Sequence, residues 1–357
     1  MGQNILITGA AGYIGGSIVA DFISRTAGPI KAANISAAVR SEEQSQSLSK
    51  LGVNVVKVDL SDETAVMEVI VSNKIDIVIH TASSMDSRLA SHLIKGLGRN
   101  REISGKETYF IHSSVTTLFA PEVGWEDGEV RDTDPLFEKE KEMGDQNPVR
   151  KTNLLVVELA QTLGVTSINI ALPFVYGRGS GQWKKLSANI PAHIRSGIAH
   201  KVVYKFDKDG NPPTAHISDL VALYGLLTER ILQGTPIPSG KDGYYFAIAH
   251  TVGWWEIMDG LAKALYARGL VEEPKTPFWP SDEVAADYLG FPRMFLRAMG
   301  TTSGQLVPVN AYRLGWQPKW DKERFLKNID DEVQAVLDLD KTKVKTTVFD
   351  SLLSGEK

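Results

Sequence analysis

The 357-residue chain contains no cysteine. That removes disulfide frameworks, thiolate zinc sites, iron–sulfur clusters and every cysteine-nucleophile mechanism, and makes a cytoplasmic location the expectation. No apolar run approaches the roughly 18 residues of a membrane span. The opening stretch MGQNILITGAAGYIGG has no basic n-region and is broken by glycines too early for a signal sequence. Charge of one sign is not in excess either: 39 Lys and Arg stand against 43 Asp and Glu, a net of −4. Such a chain lacks the basic stripe that holds a phosphate backbone, so neither nucleic acid nor membrane is an expected partner. The seven histidines show no H-E-x-x-H and no close carboxylate cluster, so no metal site is expected. No G-x-S-x-G elbow is present, which argues against an acylating serine. There are no internal repeats and no low-complexity tract.

What is present is an ordinary globular composition, 43% apolar and 23% charged, enough for a sizeable core. Continuous β-branched runs at residues 4–8, 35–40, 53–58, 75–80, 109–112 and 166–172 alternate with helical stretches at 13–25, 42–51, 63–72, 86–101 and 149–163. Runs that are apolar throughout suit strands buried on both faces, hence a doubly wound parallel α/β sheet. Residues 125–147 are acidic and turn-rich and read as a surface loop. Past Pro173 the pattern changes to mixed elements with Pro-rich breaks, which predicts a second, smaller lobe interleaved with a returning helix at 217–232.

The strongest signal is Thr8-Gly9-Ala10-Ala11-Gly12-Tyr13-Ile14-Gly15, between the first strand and the first helix. Gly9 permits the tight turn, Gly12 lets backbone approach a pyrophosphate, and Gly15 allows close helix–strand packing; the helix N-terminus adds positive potential. This predicts a Rossmann-type dinucleotide-binding domain over residues 1–175, with Gly9, Ala11, Gly12, Tyr13 and Ile14 at the cofactor. A substrate-binding lobe then spans 176–340, followed by a tail at 341–357. The second strand ends Val39-Arg40-Ser41, where an NAD site usually carries an acid. Arg40 offers a fork of donors suited to a 2′-phosphate, which favours NADP(H). The alternative is a solvated Arg40 paired with Glu42 or Glu43.

The spacing G-x-x-G-x-x-G behind a threonine resembles the short-chain dehydrogenase/reductase superfamily, in its extended and atypical branches (epimerase/dehydratase-like and NmrA-like). The likeness continues through Val58-Asp59-Leu60, His80-Thr81-Ala82-Ser83, His112-Ser113-Ser114, Pro173-Phe174-Val175-Tyr176-Gly177 and the ending Leu314-Gly315-Trp316-Gln317-Pro318. The resemblance implies that Asp59 and Leu60 contact the adenine, that Thr81, Ala82 and Ser83 line the cofactor, and that Pro173 and Val175 flank the nicotinamide.

In the resembled family a serine, a tyrosine and a lysine four residues after it cooperate. Ser114 fits the serine, but the tyrosine is missing. If Lys151 is the motif lysine, the tyrosine position is Asn147; counting from Glu158 instead puts Arg150 and Leu154 at the two positions. Lys151 is taken as the cation facing cofactor ribose or substrate, with Arg150 in reserve and a solvated helix residue as the alternative. Ser114, a water or Tyr176 could then supply a proton. His80 and His112 each end a predicted strand and read as packed, hydrogen-bonded histidines. Asp219 or Ser218 reads as a helix N-cap, and residues 177–181 as a lid or a plain loop. Trp254, Trp255, Phe278 and Trp279 read as core or as a pocket lining.

Three functions remain open on this reading. The first is an NADP(H)-dependent oxidoreductase reducing a ketone, enone or imine in a small, largely apolar metabolite. The second is a redox-neutral epimerase, isomerase or cyclase that retains its NADP. The third is a cofactor-sensing NmrA-like regulator without chemistry. The expected assembly is a monomer or homodimer with a small-molecule substrate.

Overall fold

Seven short, largely buried strands build the centre of the protein, whose computed structural model describes residues 3–125 and 128–340. The strands in chain order are β1 (Asn4–Thr8), β2 (Ile35–Val39), β3 (Asn54–Lys57), β4 (Ile75–His80), β5 (Tyr109–Val115), β6 (Glu129–Arg131), β7 (Thr166–Leu172), β8 (Phe174–Tyr176), β9 (Pro213–His216), β10 (Tyr244–Phe246), β11 (His250–Thr251) and β12 (Gln305–Val307). The main sheet has the order β10-β7-β5-β4-β1-β2-β3, and every pair in it is parallel. The order reverses beside β1, which opens a crevice at the carboxyl ends of β1 and β4 where such sheets bind ligands.

The helices are α1 (Tyr13–Ser24), α2 (Glu42–Ser49), α3 (Glu63–Ser72), α4 (Ser87–Ser104), α5 (Leu136–Met143), α6 (Pro148–Thr162), α7 (Asn189–His200), α8 (Ile217–Leu232), α9 (Trp254–Ala267), α10 (Asp282–Leu289), α11 (Arg293–Thr301), α12 (Asn310–Arg313), α13 (Lys322–Lys327) and α14 (Ile329–Leu339). Helices α1, α2 and α8 cover one face through Ile18, Phe22, Leu48, Leu220 and Tyr224. Helices α3, α4 and α6 cover the other through Ile70, Leu93, Leu97 and Val156. The starts of α3 and α4 follow from their caps: Asp62 accepts from Ala65 N–H and Asp86 from Arg88 N–H, satisfying donors that a helix leaves open.

The second lobe centres on Tyr176, Ile190, Trp254, Leu261 and Phe325, gathered from β8, α7, α9 and α13. Its three-stranded sheet has the order β11-β9-β8. Two elements placed late in the chain nevertheless serve the first domain: α8 packs on α1's face, and β10 supplies the seventh strand beside β7.

Residues 125–147 are not the surface loop expected from composition. They hold β6, which pairs in parallel with distant β12, and α5, whose Leu136 and Phe137 are buried with Leu154 and Phe246; residues 126–127 lie outside the described residues. The acidic run masked α5 because its inward face is only two apolar side chains plus one buried acid, Glu140. Strand β5 also runs past His112 to Val115. The expected tail at 341–357 lies outside the described residues. No helix among the described residues is long and apolar enough to cross a membrane.

Candidate active site

The phosphate loop is shaped by contacts that leave no room for side chains. Gly9 has φ +67°, and Gly12 N–H donates to its carbonyl at 2.7 Å, closing the turn that a left-handed residue permits. A Cβ on Gly9 would stand 2.7 Å from Thr81 Oγ1, and one on Gly15 only 2.5 Å from the same atom. Thr81 is held there by its own bond to the Thr8 carbonyl, 2.7 Å. Helix α1 starts at Gly12 with no side-chain cap, so its first N–H groups face outward at the positive end of the helix. Ala11 is buried, and Ile14 packs against the core between sheet and α1. The Tyr13 side chain turns away from the helix start and donates from its hydroxyl to Gly177 O at 2.6 Å; burial holds that phenol well above its usual pKa.

The loop at 177–181, read from sequence as a lid or plain loop, is seated on α1. A Cβ on Gly181 would stand 2.8 Å from the Gly16 carbonyl carbon, and Ser180 N–H donates to Ser17 Oγ at 3.2 Å. It is fixed against α1 because small residues on both sides let the backbones meet.

Arg40, Asp59 and Leu60 meet at the ends of β2 and β3. Arg40 is exposed, and Glu42 pairs with Lys57 instead of Arg40, at 3.3 Å. Ser41 caps α2 by accepting from Gln44 N–H. Asp59 accepts from Ser61 N–H at 2.9 Å and Ser61 Oγ at 2.8 Å; these bonds first, and then the nearby Arg40 charge, lower its carboxyl pKa. Leu60 is buried, and its carbonyl meets His92 Nδ1 at 3.0 Å. After β4, Ser83 Oγ accepts from Met85 and Asp86 N–H, turning the chain into α4, while Ala82 is exposed. Pro173 is buried and Val175 half-buried at the start of the second lobe.

At the end of β5, Ser113 and Ser114 face opposite ways. Ser113 Oγ is 2.6 Å from Tyr224 Oη on the α8 side. Ser114 is 1% exposed, and its Oγ has no hydrogen-bond partner. Lys151 lies on the exposed side of α6, between buried Arg150 and buried Thr152, and forms no hydrogen bond with Ser114. Asn147, the tyrosine position in one register, is the N-cap of α6 and accepts from Val149 and Arg150 N–H. Arg150 points at the carbonyls of Val123, Met143 and Gly144.

Beneath Ser114 runs a feature that sequence could not show. Thr8, His80, His112, Asn169 and Tyr244 are register partners across β1, β4, β5, β7 and β10, and each is at most 1% exposed. Register partners point to the same face, so these five form a buried polar row. Thr8 Oγ1 and His80 Nδ1 are 2.8 Å apart, and the His80 and His112 rings stack at 5.8 Å. Burial pushes His80 down to about 4, opposed by a hydrogen bond to the Ser83 backbone, and lowers His112 well below the usual histidine range, with His80 adding to the effect. Neither His112 ring nitrogen has a partner, contrary to the hydrogen-bonded histidine expected there. The Asn169 amide approaches the Tyr244 hydroxyl without completing a bond. At the far end Glu140 accepts from Tyr244 Oη at 2.5 Å and from Asn153 Nδ2 at 2.8 Å. Burial lifts Glu140 to about 7 against these bonds. Each buried group left without a partner costs about 1–3 kcal/mol.

Other expectations need correction. Tyr176 is 1% exposed; its hydroxyl bonds His250 Nε2 at 3.0 Å and its ring sits 3.9 Å from that of Phe325. It belongs to the second lobe's core. The N-cap of α8 is His216, which accepts from Ser218 N–H, while Asp219 accepts from Trp320 N–H at 2.9 Å and gives its carbonyl to Trp316 Nε1. Trp254 and Trp279 are buried, and Phe278 is exposed. Among the described residues no group of three or more His, Asp or Glu could hold a metal ion. Glu140, Asn153, Tyr224 and the Tyr13 tie were invisible in the sequence, because every partner comes from a separate element.

Residues 5–95 match the NAD dependent epimerase/dehydratase family, the stretch that contains the phosphate loop, Arg40, Asp59 and Thr81. No curated protein matches the sequence significantly. Among solved structures, the fold is similar to that of Thermotoga maritima UDP-glucose 4-epimerase crystallised with UDP-glucose, at TM-score 0.62 and 17% identity over 94% of this chain and 100% of that one. It is similar to the Bordetella bronchiseptica enzyme WbmH in complex with NAD+, at TM-score 0.64 and 15% identity over 96% and 100%. Bacillus cereus UDP-glucuronic acid 4-epimerase, in complex with UDP-glucuronic acid and NAD, gives TM-score 0.62 and 14% identity over 94% and 100%.

Proposed function

We propose that this chain, with its epimerase/dehydratase-type N-terminal segment and Rossmann-type extended short-chain dehydrogenase/reductase fold, is an NADP(H)-dependent oxidoreductase. Its substrate on this reading is a ketone, enone or imine in a small, largely apolar molecule. The observation that carries the reading is the cradle at Gly9, Gly12 and Gly15, with Arg40 at the neighbouring strand end in place of an acid. Neighbours crystallised with NAD support a nicotinamide dinucleotide; Arg40 favours the 2′-phosphorylated form.

The residues present fit such a cofactor. The three glycines let the loop close tightly against Thr81 and the Gly9 carbonyl, and the uncapped α1 would offer its first N–H groups to a pyrophosphate. When bound, the cofactor supplies the hydride. Arg40 would hold a 2′-phosphate, for which its fork of donors is suited. Thr81 fixes the loop through Thr8 O. The wall at 177–181 fixes α1 and limits water at that side. Ser114 gives a hydrogen bond to the substrate's heteroatom, which polarises a carbonyl; an iminium needs less help because it is already cationic. Orientation of the two reactants then supplies much of the rate.

The test is a fluorescence titration with NADPH and NADH, followed by NADPH oxidation across a panel of ketones, enones and cyclic imines. Selective NADPH binding with turnover of a panel member is the expected result. Tight binding with no turnover favours a second reading, a cofactor-sensing protein, to which the exposure of Lys151 and the absence of a Tyr–Lys pair beside Ser114 lend support. Failure to bind either cofactor overturns both.

A further inference from the structure

The polar row under Ser114 is an unusual use of a sheet interior. Parallel strands buried on both faces are apolar as a rule, and the strands here obey it one pair of residues earlier: Leu6, Val78 and Phe110 lie on this same face in an apolar core. At the next inward position all three strands switch to Thr8, His80 and His112, and β7 and β10 continue the line with Asn169 and Tyr244. Protein groups bond one nitrogen of His80 and the Tyr244 hydroxyl at the two ends, Thr8 to His80 Nδ1 and Tyr244 to Glu140. The middle is unsatisfied: both nitrogens of His112, both amide atoms of Asn169, Oδ1 of Asn153 and Oγ of Ser114 have no partner within the protein. Buried polar groups that converge without protein partners are the usual lining of an internal water site. Ser114 stands two residues beyond His112 on one strand face, so their side chains are neighbours along it, and water can join polar groups that do not meet directly.

We propose that the space between β5, β7 and helix α6 holds internal water bonded to His112 and Asn169, and that His112, through this water, positions the Ser114 hydroxyl. This replaces the orienting work that a Tyr–Lys pair does in the resembled family. His112 is thus a positioning residue, one shell removed from the reacting atoms, and the row ties it through His80 and Thr8 to the first residue of the phosphate loop. The role in turnover rests on the function proposed above; the water site does not.

The test has two arms on the full chain. In the first, NMR of protein labelled with 15N-histidine looks for cross-peaks between the His112 ring N–H and water. They are expected in the wild type and absent in His112→Phe, which keeps the stack on Phe110 but has no ring nitrogen. A wild-type His112 that shows no water contact overturns the proposal. The second arm measures NADPH oxidation with whichever panel substrate turns over. In His112→Phe, kcat is expected to fall at least tenfold with NADPH affinity unchanged, and His112→Gln, which can still bond water, to recover part of the loss. Wild-type kcat in His112→Phe overturns the positioning role. If His112→Phe does not fold, His112→Gln and Asn169→Leu carry the same comparison. If no panel substrate turns over, the functional reading falls and the positioning role with it, while the NMR arm still decides the water site.

Discussion

The Tyr13 hydroxyl donates to the Gly177 carbonyl at 2.6 Å, while the N–H of the same glycine donates to Glu332 at 2.6 Å. One peptide position is thereby fixed from both sides, by the helix that opens the phosphate loop and by the last described helix, α14. Tyr13→Phe removes the donor and leaves a buried carbonyl unpaired, a loss of about 1–3 kcal/mol. Denaturant unfolding should show that loss. Fluorescence titration should show weaker NADPH binding, because the wall at 177–181 no longer holds α1 in place.

Arg40→Ala should separate the two cofactors. Loss of charge-assisted bonds to a 2′-phosphate is worth about 1.5–3 kcal/mol, which is roughly 10- to 100-fold in affinity. NADPH binding should weaken by that factor and NADH binding stay unchanged. Equal weakening of both would show that Arg40 has no part in phosphate recognition.

Gly15→Ala should abolish cofactor binding while the protein remains folded. Its Cβ would be driven into Thr81 Oγ1 and the Gly9 carbonyl, the two groups that shape the loop. Circular dichroism near the wild-type spectrum together with lost NADPH binding is the expected pair of results; unchanged affinity would place the pyrophosphate elsewhere.

The buried Glu332 carboxyl is pushed up to about 7, chiefly by burial. Below the ordinary glutamate value both folded and unfolded chains hold the proton. Between about pH 4.5 and 7 the unfolded chain releases it and the folded one does not, so stability falls as pH rises through that window and the penalty is constant above it. Glu332→Gln keeps an acceptor for Gly177 N–H and removes the titration. Relative to wild type it should gain up to about 3 kcal/mol between pH 5 and pH 8, read from unfolding curves at the two pH values.

The parts of this architecture that could be read in advance share a cause. The bounds of β1, β4, β7, α3 and α8 follow directly from residue pattern, because continuous β-branched runs and a 3.6-residue period are local signals. The phosphate loop was equally plain, its glycines lying together in eight residues. Strand β6 was not, since its partner β12 lies far along the chain, and α5 hid its two inward apolar residues among charges. His112 illustrates the same limit at the level of a site. Its place near a strand end was legible, but its neighbours, His80 and Asn169, are set by strand register, which the sequence around any one of the three does not encode.

Strand β10 and helix α8 bear on how such a protein could be taken apart or recombined. Both come from the sequence of the second lobe, yet one completes the sheet against β7 and the other covers Phe22 and Ile18 of α1. A fragment ending at residue 175 would expose β7 as a raw edge, a template for pairing with other chains, and would uncover an apolar face. The N-terminal half is therefore not a detachable module. Exchanging the second lobe for that of a relative would mean cutting around α8 and β10 and keeping them, so that what looks like one lobe in the sequence is inherited in two physical pieces.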